Sequence, residues 1–126
     1  MRLSLGPILY FWDRDTVLDF YARVADAPVD IVYLGEVVCA KRRALRGEDW
    51  LRIAATLEAA GKQAVLSTLA LIEAESELGA VRRIAANGRF MVEANDMAAV
   101  NMLAGRARFV AGPHINTYNS GTLALL

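Results

Sequence analysis

The chain predicts an α/β fold in which strands and helices alternate and the strands form a parallel sheet. Three observations carry that prediction. Short continuous apolar runs recur, among them Ile31-Val32-Tyr33-Leu34 and Phe90-Met91-Val92, as expected of strands covered on both faces. Between them lie stretches with apolar residues at three- and four-residue spacing, the period of an amphipathic helix. Glycine, proline or asparagine punctuates the junctions. Such alternation joins parallel strands by right-handed crossovers.

Taken in order, the first strand is expected over residues 2–12, interrupted at Gly6-Pro7 because proline has no N–H for a ladder. Asp13 or Asp15 caps a helix running to about residue 25, with Val17, Phe20, Tyr21 and Val24 on one face. Asp26-Ala27-Pro28 stops it. The second strand is 30–34. A loop through Arg46-Gly47 leads to a helix over 48–60, its faces marked by Leu51, Ala54 and Leu57 or Glu58, and Gly61 supplies a left-handed C-terminal turn. The third strand is 63–68. A helix over 75–86 turns Leu78, Val81 and Ala85 to one side and ends at Asn87-Gly88. The fourth strand is 89–93. Asn95 caps a short helix over 96–104, buried through Met97, Val100 and Leu103. The fifth strand, 108–111, opens into a polar loop, and 122–126 starts another helix.

Two closures suit this pattern: an open doubly wound sheet, or part of an eight-stranded barrel. No glycine-rich phosphate fingerprint follows the first strand, which disfavours dinucleotide binding. Polar residues cluster after the strand ends instead: Asp13, Glu36, Thr68, Glu93 with Asn95, and Asn116 with Asn119. A parallel barrel keeps its active-site loops there. The preferred reading is the first half of a TIM-type barrel of about five strands. Residues 1–126 then form a single incomplete domain, the N-terminal fragment of a longer protein. The apolar ending Leu123-Ala124-Leu125-Leu126 and the open edges of such a sheet motivate it. The alternative is a natural half-barrel that dimerises.

Composition bounds the function classes. Of 126 residues, 56% are hydrophobic and 22% charged, a globular balance, and the formal net charge is zero. A neutral chain has no global pull toward nucleic acid or anionic lipid. One cysteine makes no intramolecular disulfide and points to a reducing compartment. The apolar N-terminus resembles a signal peptide but lacks a small-residue cleavage site and is broken at Gly6-Pro7. No apolar run approaches the roughly 20 residues that span a bilayer. A soluble cytoplasmic protein is expected.

Chemically capable side chains are densest just past the second strand, where Gly35-Glu36-Val37-Val38-Cys39-Ala40-Lys41-Arg42-Arg43 carries a carboxylate, the only cysteine and three consecutive cations. The cations favour a Cys39 thiolate, although a lone cysteine is more often a small buried hydrophobe. They themselves form either a solvated face or an anion site. A nucleophilic Cys39 needs a base, and the only histidine is His114, in the loop after the fifth strand. Glu36 and Glu93 sit at strand ends as an acid–base pair, or else pair with rim cations such as Arg42 and Arg43. Asn95, Asn116 and Asn119 bind a ligand or make turns. Trp12, Trp50, Met97 and Met102 read as packing residues. No paired cysteine or histidine spacing supports a metal site built from this chain alone.

Several of these segments carry a resemblance. Tyr33-Leu34-Gly35-Glu36, Cys39-Ala40-Lys41-Arg42-Arg43 and Gly112-Pro113-His114-Ile115-Asn116-Thr117-Tyr118-Asn119 resemble the collagenase-like peptidase family of barrels. Ser4-Leu5-Gly6-Pro7, Leu66-Ser67-Thr68-Leu69-Ala70-Leu71, Ser76-Glu77-Leu78-Gly79 and Glu93-Ala94-Asn95-Asp96 resemble its branch in anaerobic ubiquinone biosynthesis. The resemblance spans essentially the whole chain, and Gly-Glu-x-x-Cys-x-Lys-Arg is its most specific piece. It implies a subunit that pairs with a homologous barrel subunit as a heterodimer. It further implies a 4Fe-4S cluster on four cysteines, and oxygen-independent hydroxylation of a ubiquinone precursor with prephenate as oxygen donor. The first cluster cysteine falls on Cys39, and the remaining three cysteine ligands are absent from this chain. A peptidase using Cys39 or the rim carboxylates, and a non-catalytic barrel half that binds a homologous partner, stand as alternatives.

Overall fold

The structure, a computed structural model, describes all 126 residues. Its helices begin where side chains satisfy free backbone N–H groups. Asp13 accepts from the Thr16 N–H and hydroxyl, both at 2.9 Å, and starts α1 (Arg14–Asp26). For α2 (Gly47–Ala59) the device is a returning carboxylate. Asp49 accepts from the Arg46 N–H at 2.9 Å and is gripped at both oxygens by the Arg14 guanidinium, which ties the first turn of α2 to that of α1. Glu77 likewise reaches back to the N–H groups of Glu73 and Ala74 to start α3 (Glu75–Ala85). Asp96, not Asn95, caps α4 (Met97–Leu103), and Asn119 caps α5 (Ser120–Leu125).

The strands are β1 (Ser4–Leu5), β2 (Ile31–Leu34), β3 (Gln63–Ser67), β4 (Met91–Ala94) and β5 (Phe109–Ala111). All pair in parallel in the order β1-β2-β3-β4-β5. The alternating βα architecture is therefore as expected. β1 is far shorter than the predicted 2–12, because the chain leaves the ladder at Gly6-Pro7. A 3₁₀ turn (Pro113–Ile115) that the sequence reading missed follows β5.

Sequential strand order with right-handed crossovers puts the connecting helices on one face of the sheet. The packing follows. Val32, Leu34, Ala64 and Leu66 meet Val17, Tyr21 and Val24 of α1 and Ile53, Ala54 and Leu57 of α2. Val92 and Ala94 meet Val81 of α3 and Ala99, Val100 and Leu103 of α4. These are two buried apolar clusters bridged by half-buried Ile84 of α3, and the helices pair accordingly, α1 with α2 and α3 with α4. The intervening residues of each strand point the other way. In register they form rows across the sheet: Ile31 beside Gln63, then Tyr33-Val65-Met91, then Ser67-Glu93-Val110. Ile31, Tyr33, Met91 and Val110 on this second face are only half-buried.

Two expected helix faces need correction. Leu51 is exposed, and α2 turns Ile53 inward instead. Met97 is 50% exposed, because the buried side of α4 runs through Ala99, Val100 and Leu103. No helix is long and apolar enough to cross a membrane.

Two tests follow from these contacts. The Arg14 guanidinium, then the Arg46 N–H, hold the Asp49 carboxyl well below its usual value. A depressed carboxylate stabilises the fold above its unfolded value near 4, and that contribution is lost as pH falls toward the lower folded value. The stability difference between the wild type and Asp49→Asn, measured by thermal melts, should be largest at pH 7 and shrink below about pH 4. Gly35 has φ +139°, and a Cβ there would stand 2.6 Å from the Ser67 carbonyl oxygen. Gly35→Ala should cost about 2–4 kcal/mol in chemical denaturation, while Gly6→Ala, with nothing within 4 Å, should stay within about 0.5 kcal/mol.

Candidate functional site

The C-terminal ends of β2, β3, β4 and β5 converge on one rim, and the chain's least ordinary packing lies there. Gly35 leaves β2 in a conformation other residues rarely adopt and passes against the backbone of Ser67 at the end of β3. Gly112, just after β5, lies against the Asn95 amide, whose oxygen would be 2.0 Å from an added Cβ. Both glycines are required by close approach, Gly35 to the Ser67 backbone and Gly112 to the Asn95 and Glu93 side chains.

Beyond Gly35 the chain closes on itself. Glu36 Oε1 accepts from the N–H groups of Val38 at 3.3 Å and Cys39 at 3.2 Å. Arg42 Nη1 lies 3.8 Å from the same oxygen and donates to the Leu9 carbonyl at 2.9 Å. Val37 is buried, and its carbonyl accepts from the Ala70 N–H at 2.9 Å. The residues between Gly35 and Arg42 thus form one braced loop. Cys39 sits on it as a partly buried free thiol. Glu36 is occupied with loop N–H groups and Arg42, which is its structural rather than its acid–base use.

At the ends of β3 and β4 lies a buried polar network. Thr68 and Asn95 are essentially inaccessible, and Glu93 is 6% exposed. The Asn95 N–H donates to Thr68 Oγ1 at 3.0 Å. Its Nδ2 donates to the Thr68 carbonyl at 3.1 Å and to Glu93 Oε2 at 3.0 Å. Those bonds fix the amide so that Oδ1 points away from them, and Oδ1 has no protein partner. Ser67 Oγ and Thr117 Oγ1 are also buried without one. Burial, and then the charge of Glu93, raise the Tyr33 phenol above its ordinary value. Such a cluster of desolvated oxygens and amides suits binding of a polar group, because every unmatched atom there gains from a partner.

Of the residues singled out from the sequence, Thr68, Glu93 and Asn95 come together. Asp13, Asn116 and Asn119 serve as caps: Asn116 adopts φ 57° at the end of the 3₁₀ turn and hydrogen-bonds the His114 carbonyl. Cys39 and His114 do not come together. Their loops follow β2 and β5, with β3 and β4 between, a separation of about 14 Å at usual strand spacing. His114 is exposed. No three His, Cys, Asp or Glu side chains gather to hold a metal ion. Cys39 alone does not fit a four-iron cluster, which needs four thiolates. Ser67 was missed; its signal was a serine directly after three apolar strand residues and directly before Thr68.

No protein-family model matches the chain, and no solved structure matches it.

The network predicts a specific sensitivity. Thr68→Val removes the acceptor of the buried Asn95 N–H and should cost about 1–3 kcal/mol in chemical denaturation. Thr117→Val deletes an oxygen that has no partner and should cost much less.

Proposed function

We propose that this chain is the N-terminal, five-strand part of a TIM-type barrel subunit resembling UbiV. It would work with a homologous subunit of the UbiU kind in oxygen-independent hydroxylation of a ubiquinone precursor. The observation that carries the barrel is the strand order β1 to β5, with helices on one face and half-buried residues on the other. A barrel interior is such a second face, closed by further strands. Its polar rim lies at the C-terminal strand ends, where barrel enzymes bind substrate.

The functional part of the proposal rests on the resemblance around Gly35-Glu36-Val37-Val38-Cys39-Ala40-Lys41-Arg42, and the loop gives that spacing a physical reason. Glycine is needed for the close approach, glutamate for the loop N–H groups, arginine to hold the glutamate, and Cys39 is what the brace presents. Cys39 is proposed as one of four cluster ligands, the other three lying outside these 126 residues. The donors of this chain alone do not assemble that cluster.

The test is iron and acid-labile sulfide content of the full-length protein, purified anaerobically with its homologous partner. Cys39→Ser should lower the cluster content of this subunit to background while leaving the heterodimer intact by gel filtration. Full iron content in that variant overturns the ligand assignment.

A further inference from the structure

The helix layer is divided, and the division opens a cleft. Between the α1–α2 pair and the α3–α4 pair lies a cavity of about 540 Å³. Leu34, Leu66 and Val81, all from the buried cores, contribute to its wall, together with Leu69 and Ile84. On α3 the lining residues Ala80, Arg83 and Ile84 recur at helical spacing, so one stripe of that helix faces the cleft, and Asn87 just past its end joins them. The volume falls within the range that holds small organic molecules.

The charges around this apolar space are unbalanced. Arg42, Arg43, Arg46 and Arg83 line it, against only Glu36 and Glu48. Glu36 is engaged with Arg42. Arg43, Arg46 and Arg83 make no ion pair and no side-chain hydrogen bond, although the molecule pairs four other arginines. Arg43 also sits at φ 45°, in the left-handed region, within the loop that forms one wall. The first turn of α2 reaches the same space, and nothing lies within 4 Å of the position a Gly47 Cβ would take.

We propose that this cleft binds an amphipathic organic anion: a long apolar body with one carboxylate or phosphate head, the head held by Arg43, Arg46 or Arg83 and the body in the apolar cleft. Guanidinium groups pair with both head types in bidentate fashion, and an apolar wall has no use for a second charge. The cleft shares Glu36, Ala40 and Arg42 with the loop that carries Cys39, but the arginines proposed to hold the head lie outside that brace, and the binding test does not involve Cys39.

The two tryptophans of the chain, Trp12 and Trp50, both line the cleft and report on it directly. Titrating dodecanoate into the protein below its micellar concentration should give a saturable change in tryptophan fluorescence. Dodecanol should bind at least roughly tenfold more weakly, the worth of a charge-assisted pair. Dodecyl phosphate in parallel distinguishes the two head types. The double variant Arg43→Gln, Arg83→Gln should lose the preference for acid over alcohol, and Ala80→Trp, which fills the cleft, should lose both ligands while keeping the circular dichroism of the parent. Equal binding of alcohol and acid by the parent, or no saturable change with any of the three, overturns the proposal.

Discussion

Handedness is the constraint from which the molecule follows. Five parallel strands laid down in sequence order, each joined to the next by a right-handed crossover, leave the helices only one side of the sheet. β2 then alternates covered and half-covered side chains, while the central strand β3 buries Val65 and Ser67 on the second face as well. Val32 and Leu34 are fully buried under α1 and α2, whereas Ile31 and Tyr33 between them are only half so. A doubly wound sheet of the same residues would have covered both sets. The same constraint brings all strand C-termini to one edge, which is why residues far apart in sequence, such as Thr68 and Asn95, share hydrogen bonds there.

At that edge two glycines let the strand ends approach closely, Gly35 against backbone and Gly112 against a side-chain amide. The Gly35–Ser67 and Gly112–Asn95 approaches draw β2 to β3 and β4 to the end of β5. Between them the Asn95 amide spends both protons on Thr68 and Glu93. Glu93, at 6% exposure, is held by that amide and forms no ion pair. Buried polar groups are stable only where each finds a hydrogen-bond partner, and here the amide provides it.

Much of the fold was legible because its signals are local. Each βα unit carries a complete apolar strand and a 3.6-period helix, and Asp13 and Gly61 mark boundaries the structure keeps. What was not legible depended on partners distant in sequence. Asn95 precedes a helix and reads as its cap, yet Thr68, 27 residues earlier, claims it, and Asp96 takes the cap instead. Met97 reads as core from its spacing, but a seven-residue helix can bury only one narrow side. Glu36 reads equally as a catalytic acid or an ion-pair partner; only the fold of its own loop decides between them. Ser67 was lost because its signal, a serine between an apolar run and Thr68, does not tell a buried hydroxyl from a solvated one.

The divided helix layer is the least local feature of all. Helix faces that meet in a core present large apolar side chains to one another. α3 does so toward α4 through Val81, whereas toward α2 it offers Ala80, Arg83 and Ile84, of which only Ile84 is large and apolar and packs against both clusters. The gap left beside it forgoes the stability of further burial and is lined by Arg43, Arg46 and Arg83, which form no ion pair. Unpaired cations beside exposed apolar wall stabilise nothing in the chain itself. The arrangement gains free energy only when a molecule supplies both the apolar surface and the negative charge.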